Sequence, residues 1–239
     1  MPATWSKIHT GIICLLLILF VILFLTPEPQ SGGAWLTFAV LFLALITAVG
    51  KGVCGVLAGA LIDGRGRMSA SRLQLIMWSI TILSALLTAV KWNFHKGSEN
   101  PVDITVPEQV WVLLGISATS LAGSVLVKSN KAGPPSPAGA AAPARANLLA
   151  TNPSADQASL SDLFSGDEVS NKDYVDIGKV QVLFFTLVIL LGYASSLYDT
   201  LAARPDAIKE LPDLSEGILT LLGISHAGYL VEKAAPHHS

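Results

Sequence analysis

The residue in this chain best suited to chemistry is a histidine inside an uncharged apolar stretch. His226 directly follows the pentapeptide Leu-Leu-Gly-Ile-Ser, and no Asp, Glu, Lys or Arg occurs from residue 217 to residue 231. By the helical rise it lies ~15 Å into its predicted helix, near the middle of a bilayer. An ionisable side chain at that depth is costly and is by default a functional hypothesis. Four hydroxyl side chains could bond its ring nitrogens: Ser117, Thr119, Ser120 and Ser225. The alternatives are a hydrogen bond for packing, a path for an ion, proton or polar solute, and catalysis.

The same pentapeptide occurs earlier, at residues 113–117, where Ala118 follows it. Each copy comes after an apolar stretch that opens with a basic residue, one spacer and a glutamine. The glutamines, Gln74 and Gln181, are 107 residues apart, and the two pentapeptides are 108 residues apart. The last four apolar stretches therefore predict a two-helix unit written twice. Residues shared by both copies are best explained as architecture, so His226, present in one copy, is the better functional candidate.

The serine of the first pentapeptide and the histidine after the second suggest one reaction to weigh. Gly115-Ile116-Ser117 on the fourth span and His226 on the sixth resemble the serine and histidine of rhomboid intramembrane proteases. The resemblance is limited to these residues, since the large first external loop and a second-span His and Asn are missing. Duplication also explains the Gly-Ile-Ser, which recurs beside His226 itself. A nucleophile needs its base within hydrogen-bond reach. An intramembrane serine protease is therefore the last of three hypotheses, and we expect no enzyme.

Composition places the chain in a bilayer. Hydrophobic residues make up 51% and charged residues 13%, about half the share of charge usual in soluble domains. A net charge of −2 without a basic stripe gives no nucleic-acid signal. Cys14 and Cys54 have no neighbouring His or Asp pairs, so we expect no disulfide framework, metal or cofactor. Six stretches predict an all-α polytopic bundle of six transmembrane helices: residues 8–26, 34–50, 73–90, 109–127, 180–198 and 217–231.

Two of these stretches leave alternatives open. The first is either a retained anchor, which its long apolar core favours, or a cleaved signal peptide. The second is followed by Lys51 and a further uncharged piece, residues 52–62. Either the second helix is long and Lys51 reaches the interface, or the helix breaks near Gly50 and a short piece lies at the interface.

The loop charges predict the orientation. With the N-terminus inside, eleven of the fifteen Lys and Arg residues lie in inner segments. The strongest signal for this orientation comes from Arg65 and Arg67, because their loop is short. Both termini are then cytoplasmic. The short chain and compact loops favour a bacterial inner membrane. We divide the chain into a two-span region (1–68), a first repeat unit (69–128), a cytoplasmic insert (129–175) and a second repeat unit with its tail (176–239).

Small residues predict how the spans pack. Lipid supplies no hydrophobic force between helices, so helices associate where small side chains allow close approach. Five such residues predict a tight central pair of the fourth and sixth spans: Gly115, Gly123, Gly223, Ala227 and Gly228. The third and fifth spans carry bulkier residues and are expected outside, facing lipid or the first two helices. Their bulky residues include Met77, Trp78, Phe184 and Phe185.

The insert has two parts. Residues 129–156 are rich in Ala, Pro, Gly and Ser and predict a flexible tether. Residues 159–169 predict a short helix with Leu160, Leu163 and Phe164 on one face, followed by acidic character. Its acidic residues are Asp162, Asp167 and Glu168. The segment either docks on this protein's own inner face or is a linear motif for a cytoplasmic protein.

Three stretches, residues 61–74, 162–168 and 221–230, resemble an uncharacterised group of bacterial multi-pass membrane proteins. The resemblance covers most of the chain after residue 50 and implies location and architecture, with no activity attached. The leading hypothesis is a non-enzymatic scaffold or anchor in the lipid bilayer, with homo-oligomerisation left open, that presents residues 159–169 to a cytoplasmic partner. The second hypothesis is a small channel or transporter with His226 and the midplane hydroxyls on its path.

Overall fold

The structure, a computed structural model, describes residues 5–27, 31–131, 149–203 and 206–234. Every regular element in these ranges is helical. The α-helices are α1 (Lys7–Leu25), α2 (Ser31–Cys54), α3 (Ala70–His95), α4 (Glu108–Lys131), α5 (Ile177–Ala202) and α6 (Glu216–Ala234). Short 3-10 turns occur at Gly59–Leu61, Ala155–Gln157 and Leu160–Leu163. Each α-helix coincides with one predicted apolar stretch, and most extend beyond it by about a turn.

The helices have the surface of a bundle that lies in lipid. Five of those described, α1 to α5, are long and apolar enough to cross a membrane, and α6 contains a shorter apolar segment, Glu216–Val231. α1 buries none of its residues and packs on α2 through Phe20, whose ring meets Phe38 and Phe42. Large aliphatic side chains are exposed along α1, α2 and α5. The chain is a multi-pass membrane protein.

Contacts at the two ends of the bundle set the helix directions. At one end, the Lys233 ammonium in the last turn of α6 donates to Ser124 Oγ of α4 over 2.8 Å. At the other end, the loops that precede α4 and α6 meet, and the Thr105 amide donates to the Lys209 carbonyl over 2.7 Å. α4 and α6 therefore run in the same direction. We call the end with Lys233 the charged end and the end with Thr105 the far end.

α4 and α6 pack directly against each other, as expected. A Cβ placed on Gly223 would meet the Ile116 side chain at 4.0 Å, and one on Gly123 would meet the Leu230 side chain at 3.2 Å. Both pairs are 107 residues apart, within one residue of the spacing of the pentapeptides. Equivalent levels of the two helices thus face each other. The other three predicted packing residues lie off this contact: Gly115 and Gly228 have open space, and Ala227 is exposed.

The prediction that the third span lies outside is wrong. Trp78 is fully buried, and α3 contacts α2, α4 and α5. Small side chains allow neighbours to approach it on several sides. Those that are buried along its length include Ser84, Ala85, Thr88 and Ala89. α5 is partly as expected, because Phe184 is exposed while Phe185 packs against the core.

The second helix is the long one of the two alternatives. α2 continues through Lys51 to Cys54, and the Lys51 ammonium donates to the Gly55 carbonyl over 2.7 Å. Gly55, with φ of 80°, turns the chain back. The following 3-10 turn then packs on α2 at Gly50, where the backbone of Gly59 leaves no room for a side chain.

Helix starts follow the sequence signals. Asp176 and Ser69 are the N-caps of α5 and α3, and the Asp176 carboxylate accepts a bond from the Lys179 amide over 2.9 Å. Glu108 and Glu216 stand in the first turns of α4 and α6, where a carboxylate complements the helix dipole.

Asn93, in the last turn of α3, joins the two loops of the far end. Its side chain is 2% exposed, and its amide nitrogen donates to the Ile208 carbonyl over 2.8 Å and to the Pro101 carbonyl over 3.3 Å. Its Oδ1 accepts a bond from the Ile208 amide over 2.7 Å.

We expect Asn93→Ala to lower the free energy of unfolding by ~2 kcal/mol, because the buried amide and carbonyl of Ile208 lose their partner. Unfolding of purified protein in detergent micelles would measure this. Asn100→Ala is the control, since it removes an exposed side-chain amide from the loop that follows α3. Equal stability of the two variants would contradict the role of Asn93.

Candidate functional site

Three helices meet through polar side chains in the middle of the bundle. The fully buried Gln74 of α3 places its Nε2 at 2.7 Å from Thr186 Oγ1 of α5 and at 2.6 Å from His226 Nε2 of α6. The amide either donates to an unprotonated Nε2 or, turned over, accepts from a protonated one. We call this group, with its neighbouring serines, the polar level.

α4 supplies two of those serines and α6 the third. The register between α4 and α6 sets His226 opposite residue 119 of α4, so Ser117 and Ser120 flank its level. Both are buried, as is Ser225 beside His226. Thr119, the fourth predicted hydroxyl, is exposed on α4.

The hydrogen-bond capacity of the polar level is only partly used. Among the residues that the structure describes, five of its polar atoms have no hydrogen-bond partner: Gln74 Oε1, His226 Nδ1, and the hydroxyls of Ser117, Ser120 and Ser225. Their side chains are at most 6% exposed. Buried polar atoms in proteins are normally partnered, and an unpartnered one in hydrocarbon costs several kcal/mol.

Several other hydroxyls of the bundle bond to their own helix. On α3, Thr81 donates to the Met77 carbonyl over 2.9 Å and Thr88 to the Ser84 carbonyl over 2.7 Å. On α6, Thr220 donates to the Glu216 carbonyl over 2.9 Å. This bond to the preceding turn is open to any helical Ser or Thr. The three serines of the polar level do not make it, which is the arrangement expected of groups that bind a ligand.

A layer of large apolar side chains closes the polar level toward the far end. Trp78, Leu113 and Leu222 are fully buried, and Ile189 is 7% exposed. Each lies three or four residues, about one helical turn, from the polar residue of its own helix. The polar level is therefore separated from the far end by bulky, mainly apolar side chains.

Toward the charged end the interior stays polar. The Lys233 ammonium, one to two turns from His226 on α6, donates to Ser124 Oγ over 2.8 Å and to the Tyr229 hydroxyl over 2.7 Å. We call the polar level together with Ser124, Tyr229 and Lys233 the polar column. It runs from the middle of the bundle to the charged end.

A single carboxylate of the insert covers the end of this column. Asp167 Oδ2 lies 2.6 Å from the Lys233 ammonium, and Asp167 Oδ1 lies 2.8 Å from the Arg65 guanidinium and 3.1 Å from the Lys179 ammonium. Burial lowers the pKa of Arg65, but the carboxylates of Asp167 and Asp63 outweigh this and raise it above its ordinary value. Asp167 thus joins the loop before α3 to α5 and α6.

A second ion pair docks the insert. Arg67 donates through Nε to Asp162 over 2.9 Å and through a terminal nitrogen to the Gly166 carbonyl over 2.8 Å. Asp162 also accepts bonds from the amides of Ser159 (3.0 Å) and Met68 (3.2 Å). The segment 159–169 therefore packs on this protein's own charged end.

The expected helix in this segment is wrong in its geometry. Only one 3-10 turn forms, at Leu160–Leu163, and the bonds of Asp162 orient it. Leu163, Asp162, Asp167 and Glu168 are buried, whereas Leu160 and Phe164 are exposed, so the three apolar residues do not share a face.

Much of the predicted tether, residues 132–148, lies outside the described residues. From residue 149 onward the chain is packed: the Ala150 amide donates to the Asp167 carbonyl over 2.9 Å, and the Asn152 amide donates to the Arg65 carbonyl over 2.8 Å. A flexible tether is therefore wrong for residues 149–156.

The two copies of the repeat pattern contribute unequally to the site. Gln74 is central to it, while its counterpart Gln181 is exposed, and Ala118, the counterpart of His226, is exposed as well. Among the described residues Ser117 Oγ makes no hydrogen bond, so the contact between Ser117 and His226 that a serine mechanism needs is not made.

Comparison with protein-family models found no match, and searches of curated proteins and of solved structures found none either. The resemblance to the bacterial group stays an expectation, and function is inferred from the polar column itself.

We expect Gln74→Leu to lower the free energy of unfolding by ~1 kcal/mol, because it removes the bonds that join α3 to α5 and α6. Gln181→Leu, the same change in the other copy, should have almost no effect, since Gln181 is exposed. Unfolding in detergent would compare the two, and a larger loss for Gln181→Leu would contradict this assignment.

Proposed function

We propose that this protein binds a small polar solute in the polar column and moves it across the membrane as a channel or carrier. The observation that carries the proposal is the group of five unpartnered, buried polar atoms at one level of the bundle. A solute with its own donors and acceptors would complete their hydrogen bonds.

The cost of unpartnered polar groups favours a binding role for these side chains over a packing role. An interhelical hydrogen bond stabilises a bundle by only ~0.6 to 2 kcal/mol, whereas each polar group left without a partner in hydrocarbon costs several kcal/mol. Alanine or leucine would pack these positions without that cost. Three unpartnered serines beside a histidine are better explained by a bound ligand that supplies the hydrogen bonds that water would otherwise make.

The order of polar and apolar side chains along the bundle supports access of a solute to the site from one side of the membrane at a time. The column is continuous with the charged end and is closed toward the far end by Trp78, Leu113, Ile189 and Leu222. Passage would require this apolar layer to part, which a carrier achieves by moving helices around a fixed midplane site. From the distribution of Lys and Arg, we place the charged end in the cytoplasm of a bacterial cell, with α6 as the sixth span.

The test uses full-length protein in liposomes and a panel of small solutes: urea, glycerol, potassium chloride and potassium formate. We expect at least one to permeate faster than through empty liposomes. The double variant Ser117→Ala/Ser225→Ala should slow that solute about thirtyfold, because two neutral hydrogen bonds contribute ~1 kcal/mol each.

Thr119→Val is the matched control, since it removes an exposed hydroxyl from the same helix. Wild-type liposomes as tight as empty ones to the whole panel would overturn the proposal. So would equal slowing by the control variant.

A second candidate function, a membrane anchor for a cytoplasmic protein, is favoured by a different observation. The docked insert leaves Leu160 66% exposed and Phe164 39% exposed. Because Asp162 and Asp167 hold the insert in place, a partner would contact these two apolar side chains rather than the acidic ones.

The double variant Leu160→Ser/Phe164→Ser separates contact from docking better than deletion of residues 159–169, which would also remove the ion pairs. We expect it to abolish co-purification of a partner cross-linked in cells. Val102→Ser, an equally exposed apolar site at the far end, is the control. Unchanged capture by the double variant would reject the anchor role.

A further inference from the structure

We infer that the solute of the polar column is a small monovalent anion, such as a halide or a short carboxylate, and that Asp167 occupies its entry site. This inference rests on the proposed function and names its substrate class. It follows from the charges of the column and from what already binds at its mouth.

Two lysines of the helices lie at the mouth. Lys179 of α5 and Lys233 of α6 are 3% and 7% exposed in their side chains and both contact Asp167. The buried carboxylates in this region, Asp162, Asp167 and Glu168, belong to the insert. Asp176 is also near, but its carboxylate caps α5 by accepting the Lys179 amide.

No acidic residue lies deeper along the column. α3 has none, and the acidic residues of α4, α5 and α6 stand near the helix ends: Glu108, Asp199, Glu216 and Glu232. A cation that entered from the charged end would pass two ammonium groups and, beyond Asp167, meet no carboxylate to replace its water. An anion would meet hydrogen-bond donors instead: ammonium, hydroxyl, amide and imidazole N–H groups.

Asp167 shows directly that the mouth holds an anion. Its carboxylate bonds three cationic side chains at 2.6 to 3.1 Å, which is the geometry of charge-assisted hydrogen bonds. This carboxylate lies in the insert and follows Gly166, outside any helix. A solute anion can therefore exchange with it while the charge at the mouth stays constant.

This exchange gives Asp167 two separable effects. Its removal takes the competing carboxylate away from Lys179 and Lys233, so Asp167→Asn should raise anion flux. Loss of the Lys233 ammonium removes the link between the mouth and the hydroxyls of the column, so Lys233→Gln should lower anion flux, while Lys233→Arg keeps the charge and should retain it.

The experiment measures dilution potentials and efflux of chloride and formate from liposomes that contain the full-length protein. We expect permeation of both anions over potassium, about tenfold faster flux for Asp167→Asn, and about tenfold slower flux for Lys233→Gln, as for loss of a charged hydrogen bond. Asp173→Asn, an exposed acidic residue of the same insert, is the control and should leave the flux unchanged. Gel filtration and helix content by circular dichroism establish that each variant is folded.

The outcomes separate this inference from the proposed function. Flux of urea or potassium that depends on Ser117 and Ser225, without anion flux, would overturn anion selectivity. It would leave the proposed passage of a small polar solute intact. Anion flux that Lys233→Gln and Asp167→Asn leave unchanged would overturn the entry site. Wild-type liposomes that are tight to every solute would reject both.

Discussion

Hydrocarbon offers a polar side chain no hydrogen bond, so every polar group among these helices must find its partner within the protein or its ligand. The bundle meets this constraint in three ways. The threonines of α3 bond their own preceding turn, as Thr81 and Thr88 do. The charged end uses ion pairs, and the polar level uses contacts between helices. At the polar level unpartnered polar atoms of α3, α4 and α6 come together, and this is why the proposed site lies there.

The ion pairs at the charged end tie the fold to the access of the site. A buried ion pair repays its desolvation only when its charges are multiply bonded. Asp167 satisfies this with three cations, and Arg67 does so with Asp162, Ser165 and the Gly166 carbonyl. The insert connects α4 to α5, and the contact that covers the column joins the loop before α3 to the second predicted repeat unit. A solute that displaces Asp167 would therefore also loosen the packing of this loop on that unit.

The sequence predicts the helices well because the length and apolar character of a membrane span are local signals. The span limits could be obtained from them, and the pairing of α4 with α6 from their small residues. Packing could not. Gln74 and Gln181 sit in the same local pattern, yet one is fully buried and the other exposed. By sequence alone Arg65 and Arg67 are topology signals, because their buried partners Asp167 and Asp162 lie about a hundred residues away. His226 stands out in the sequence because an ionisable residue in an apolar stretch is unusual in itself. Nothing in the sequence distinguishes Thr186 in the same way.

The near-equal spacing of the pentapeptides and of the facing residues of α4 and α6 bears on how such a site could arise. Two parallel helices with the same sequence pattern, packed in register, present equivalent residues toward each other at the same depth. Ser117 and Ser225 are equivalent in this sense, and both are buried with unpartnered hydroxyls. Their neighbours differ, since Ala118 corresponds to His226 and only Gln74 of the two glutamines reaches the interior. The shared serines would bind features that any small polar solute has, while the unshared imidazole and amide give the site one chemically distinct side, so selectivity is expected to depend on the residues in which the two copies differ.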